Sequence, residues 1–144
     1  MKHSHRARLW TLRLIIIALG IVVVLDLRTA ATQHAHYQDE LRRSDSRVIA
    51  QALQSLFRDS AAITASWSEA FILGSGTGSL FCPATGSSLP IKNVSGVLAP
   101  YLRVLPQDPD NNLTSASLYY ISHHDNRWFV GNCALTQRDE VMVP

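Results

Sequence analysis

The sequence predicts an α+β chain in which a long N-terminal helix, half membrane-spanning and half amphipathic, carries a small antiparallel sheet. Three observations predict it. Residues 14–25 are an unbroken apolar run, LIIIALGIVVVL. Residues 41–57 place Leu41, Val48, Ile49, Ala52, Leu53, Leu56 and Phe57 at helical spacing. Near the C-terminus, ASLYYIS and RWFVGNCALT flank the polar His123-His124-Asp125-Asn126, the pattern of two strands around a turn.

The apolar run alone is short for a hydrocarbon core, which takes about 17–25 helical residues. Extended back to Leu9 it reaches that length, with the span at about residues 9–27. Trp10 suits the membrane interface, and Arg13 lies near enough to the edge to snorkel. The anchor residues are then Trp10, Thr11, Leu12, Arg13, Leu14, Ile15, Ile16, Ile17, Leu19, Ile21, Val22, Val23, Val24 and Leu25. Residues 1–8 are a basic tail. Lys2, Arg6, Arg8 and Arg13 precede the first acid, Asp26, so the positive-inside rule puts the N-terminus in the cytoplasm and the C-terminus outside. A cleaved signal peptide, cut near Thr29-Ala30-Ala31, is the competing reading of the same segment.

Residues 28–40 contain no proline or glycine, so nothing in them must break a helix. One helix over residues 9–57 would be about 70 Å long at 1.5 Å per residue, more than a small domain can bury. Lipid or partner subunits must cover part of it. The stripe Val48, Ile49, Ala52, Leu53, Leu56 and Phe57 is the face expected to pack the head, with Arg42, Arg43, Asp45, Arg47 and Gln51 largely on the other side.

The head is residues 58–144. A helix could continue or restart over 59–70. Residues 71–93, rich in Gly, Ser, Thr and Pro, read as a loop; its GSGTG lacks the lysine and following helix of a phosphate-cradling turn. Residues 94–105 suggest short helical turns, and 106–112 a cluster of turn formers. The hairpin spans 116–136. Being marginal alone, it should pack on the apolar stripe of the long helix, at Val48, Ala52 and Leu56.

The order of these features resembles type IV pilins and type II secretion pseudopilins. Thr11-Leu12 leading into the apolar run, then Arg42-Arg43-Ser44-Asp45 with Ile49 and Ala52-Leu53, is similar to that family's N-terminal helix. Tyr101-Leu102, Pro106, Asp108-Pro109 and Tyr119-Tyr120 are similar to the end of many of its small members. The resemblance implies a pilin-like fold and a structural subunit of a bacterial surface filament or secretion apparatus, seated in the inner membrane beside other pilin-like subunits. It does not reach the processing site: Leu9 stands where the family has Gly, and Leu14 where it has Glu. Inefficient cleavage at Leu9–Trp10 is therefore expected.

The whole-chain charge of +2 hides an asymmetry. After the N-terminal flank, nine basic residues face 11 acids, which speaks against a nucleic-acid surface. Cys82 and Cys133 both fall outside the membrane and are expected to form a disulfide. No catalytic residue, metal site, cofactor or small-molecule substrate is expected. His123-His124-Asp125 has poor geometry for a metal, the Asp108–Asn112 turn offers too few carboxylates for calcium, and no serine stands in Gly-x-Ser-x-Gly. The alternative to the structural reading is a bitopic or secreted extracytoplasmic protein that binds a ligand or partner.

Overall fold

The computed structural model of the chain describes residues 3–60, 67, 69–113, 115–135 and 139–144, with the backbone alone for 3–15 and 31. It is an α+β structure: one long helix, α1 (His3–Asp59), and a six-stranded mixed sheet. The chain divides into two compact units, Met1–Gln38 and Asp39–Pro144.

Within the described residues the first unit is helix throughout. Gly20 is its lone helix-weakening residue. At the other end of α1, Arg58 lies in the last turn, where a cation complements the helix dipole.

The second unit opens with the last turns of α1. Next come β1 (Phe71–Gly74), β2 (Ser79–Cys82), β3 (Ser87–Asn93), the short α2 (Ser95–Leu98), β4 (Ala116–His124), β5 (Arg127–Asn132) and β6 (Glu140–Met142). In the sheet the order is β2-β3-β1-β4-β5-β6. The expected loop at 71–93 is thus corrected: it holds three strands. β1 and β2 are four residues each, and β3, seven residues long, carries a proline and no sustained apolar alternation. The all-antiparallel sheet is corrected too, because β1 and β3 run parallel. β3 serves two partners: residues 87–90 pair antiparallel with β2, and residues 91–93 pair with β1.

Side-chain alternation along the strands divides the core between the two faces of the sheet. Phe71, Leu73, Tyr119, Ile121 and Val130 join Ile49, Leu53 and Leu56 of α1 on one face. Ile72, Ala116 and Tyr120 join Cys82, Leu89 and Cys133 on the other. Gly131 belongs to the second face, where a Cβ would run into the Tyr120 ring.

The β4–β5 turn is tighter than expected. β4 continues through His123 and His124, and Asp125-Asn126 alone make the turn, with φ of 51° and 58°. That is a two-residue hairpin turn with both centres left-handed, which Asp and Asn tolerate. β4 also carries a bulge. Its register against β1 moves from Ile72↔Tyr120 to Gly74↔Ala116, leaving Ser117, Leu118 and Tyr119 opposite Leu73. Leu118 adopts φ 66°, and Ser117 Oγ donates to the Leu73 carbonyl at 2.8 Å. The expected helix over 59–70 falls mostly on residues 61–66 and 68, outside the described residues; Trp67 is buried.

Candidate functional site

Among the described residues, 16–27 of α1 are exposed throughout. Ile16, Ile17, Leu19, Ile21, Val22, Val23, Val24, Leu25 and Leu27 each expose 51–66% of their surface. Covering nine such side chains is worth on the order of 10 kcal/mol. The helix is long and apolar enough to cross a membrane. Eight of the expected anchor residues are in this exposed set; for Trp10, Thr11, Leu12, Arg13, Leu14 and Ile15 the side chains lie outside the described residues.

Further along α1 the head is fastened by a mixed stripe. Ile49, Ala52, Leu53 and Leu56 are buried and Phe57 is half-buried, edge-on to Trp67 and tilted against Trp128. Val48 is corrected: it is 42% exposed. It sits about 100° around the helix from Ile49, on the flank of the buried face. The buried face instead continues through Ala50, Ser46 and Arg42.

Arg42, expected on the outer side, is the centre of a buried polar cluster. Its Nε donates to Asp108 Oδ2 at 2.7 Å and its Nη1 to Asp39 Oδ1 at 2.9 Å, while Nη2 reaches Asp110 and the second Asp108 oxygen. The Asp108 side chain is fully buried, and it also accepts from Asn132 Nδ2 at 2.7 Å and the Asp110 amide at 2.9 Å. Burial alone would raise the Asp108 pKa. The guanidinium, the Asp110 amide and Asn132 outweigh it and hold the carboxyl below its usual range. The hydrogen bond to Asp108 is the main reason Arg42 is held even more firmly protonated than usual. One turn along α1, Asp45 accepts from the buried Tyr119 hydroxyl at 2.9 Å; burial first, then this bond, pushes that phenol far up. The turn at 106–112 therefore does more than shape the chain: it supplies the counter-charge for α1.

The segment leading to Asp108 is a strap. Tyr101 donates to Asp59 at the end of α1, and Asp108 meets Arg42 well before it. Between those two bonds the chain runs back along roughly 25 Å of helix, from Asp59 to Arg42. Leu102 and Leu105 pack inward along the way.

Cys82 and Cys133 form a disulfide, with Cα atoms 4.7 Å apart. It ties the end of β2 to the turn after β5. Those strands are far apart in the sheet order, so the β2–β3 pair folds over the second face and closes it.

The histidines of the hairpin have neighbours that account for them. His123 lies against Trp128, His124 stacks on Phe129, and His124 Nε2 is 3.0 Å from Glu140. Ser122 Oγ donates to the same carboxylate at 2.8 Å. The carboxylate stands between the serine and the histidine, so the imidazole cannot take the serine proton, and the three do not form a nucleophile–base relay. Among the described residues no group of three metal-ligating side chains converges.

Two of the clefts among the described residues of the head bear on what it could hold. One, of about 220 Å³, lies along residues 94–105, lined by Val94, Leu98, Ala99, Leu102, Arg103 and Leu105. The other, of about 410 Å³ and open, is lined by Phe57, Asn126, Arg127, Trp128, Met142 and Val143.

Set against known proteins, the chain matches no family model, no curated protein and no solved structure.

Proposed function

We propose that the chain is a pilin-like or pseudopilin-like structural subunit of a bacterial surface filament or secretion apparatus, held in the inner membrane by α1. The observation that carries this reading is the distribution of apolar residues along α1. Nine large side chains at one end are exposed, while those at the other end form the core of a folded head. Lipid covers the first set before assembly, and neighbouring helices cover it afterwards. The basic flank keeps the N-terminus in the cytoplasm. The disulfide supports a head on the oxidising side. With Leu9 and Leu14 at the processing site, the subunit keeps its cationic tail and serves as a membrane-resident minor or initiating component. Drawing several cations through the bilayer costs a few kcal/mol each, which opposes extraction into a filament.

A second reading, a bitopic or secreted extracytoplasmic binding protein, draws on the open cleft between Phe57, Arg127 and Trp128. The test separates the two. Sheared filaments and membranes are fractionated, and the protein in each is N-terminally sequenced and tested for co-purifying subunits. The structural reading expects the uncut protein in membranes together with pilin-like partners. Recovery only as a partner-free protein cut after residue 29 would favour the binding-protein reading.

A further inference from the structure

From the surface of the head, we infer that a second copy of this chain docks on it by a heterologous contact. The outer strip of α1 at Leu41 and Val48, with Glu40, seats in the neighbour's cleft along residues 94–105, beside Arg103. This rests on the reading of the chain as an assembling subunit and names the contact it would use.

The cleft has an aliphatic wall of Val94, Leu98, Leu102 and Leu105 and is large enough to take an aliphatic side chain. Exposed Val97 and Val104 extend that apolar surface outward, Val104 being 73% exposed. Arg103 is exposed and has no carboxylate partner among the described residues. Such a cleft suits an apolar side chain that brings a carboxylate with it.

The head offers one such group. Among the described residues of the second unit, the exposed large apolar side chains are Leu41, Val48, Phe81, Val97, Val104, Leu113 and Met142. Leu41 alone has an acid next to it in sequence, Glu40, whose side chain is 66% exposed and whose one described contact, to Arg43, is long at 3.4 Å. Val48 follows Leu41 by two helical turns on the same side of α1, so the pair forms a ridge that fits an apolar groove. Strip and cleft are different patches of one chain. Each copy therefore presents both, and the contact repeats head to tail into a ring or an open array.

The experiment uses the full-length chain in lipid nanodiscs, with the native disulfide intact. A chain carrying Leu41→Cys and Ala99→Cys should give a ladder of crosslinked multimers under mild oxidation. Mixing singly substituted Leu41→Cys and Ala99→Cys chains should give dimers only. Arg103→Glu and Glu40→Arg should each cut the crosslink yield by about tenfold or more, because like charges then meet. Combining the two reversals in one chain should restore it. If the chain assembles but positions 41 and 99 do not crosslink, or if 41 crosslinks to 41, this contact is wrong while the assembly reading stands. A chain that stays monomeric in the membrane at every density sinks this contact, while the structural reading is decided separately by whether pilin-like partners co-purify from native membranes.

Discussion

Replacing Arg42 with methionine keeps most of the side-chain volume and removes the guanidinium. The Asp108 carboxylate, fully buried, is left with Asn132 and the Asp110 amide and no cation. Breaking a buried pair from one side costs about 3–5 kcal/mol. In a unit of this size each kcal/mol moves the melting temperature by about 4 °C, so the expected drop is about 12–20 °C. The assay is thermal unfolding of the full-length protein in detergent, followed by near-UV circular dichroism from Trp67 and Trp128. The pH dependence supplies a second readout. In the wild type the folded pKa of Asp108 lies below its unfolded value, near 4. The stability it lends is therefore complete above that pH and is lost as pH falls through the lowered value. In the variant, burial acts unopposed by Arg42 and the folded pKa rises. Acid then protonates Asp108 in place: the gap between the two proteins begins to narrow as pH falls through that raised value, above pH 4, and narrows further below about pH 4 as the wild type loses its own contribution. A loss under about 1 kcal/mol at pH 7, or a gap that stays constant down to pH 4, would refute the reasoning.

Cys82→Ser with Cys133→Ser should cost about 2–4 kcal/mol, because the bridge closes a separation of 51 residues; denaturant unfolding with and without reductant measures it. Gly131→Ala should cost about 1–3 kcal/mol by forcing the Tyr120 ring aside, seen as a lower melting temperature with unchanged helix content. Asn126→Gly should gain up to about 1 kcal/mol, since Asn126 holds φ 58° in an exposed turn that glycine adopts freely. Protease added to intact spheroplasts should remove the head, and full protection of the C-terminus would overturn the proposed orientation.

The α+β class was legible because it rests on long-range patterns: a continuous apolar run, a helical stripe and a hairpin bounded by turn formers. The disulfide was legible because two cysteines leave one intramolecular pairing. What escaped was set by partners distant in sequence. Arg42 looks like a surface residue until Asp108 is known to lie against it, although helical steps back from Leu53 through Ile49 and Ser46 do reach it. Val48 was misplaced because the buried face is centred near Ile49 and Leu53 and flanked by Ala50 and Ala52, which leaves Val48 beyond its edge. Strands β1 and β2 escaped because four residues are too few to show a period, and β3 because its seven residues, SSLPIKN, include a proline and show no sustained apolar alternation. Of the three, β1 pairs with β4, whose bulge at Leu118 no local rule announces.

The fastening of the head also fixes an order in time. Arg42 is synthesised 66 residues before Asp108, and Arg43 is synthesised 96 residues before Asp139. The buried face of α1 meets almost nothing until the chain has passed Phe71, and Val130 and Val143 complete it only near the end. As the chain is made, the apolar end of α1 can enter a bilayer while its other end still lacks every partner it will pack against. On the proposed membrane reading, anchoring precedes folding, and a chain stopped short of Asp108 would carry Arg42 with Asp39 alone as its counter-charge and an uncovered apolar stripe. A quality-control protease that removes such fragments needs no recognition signal beyond that stripe.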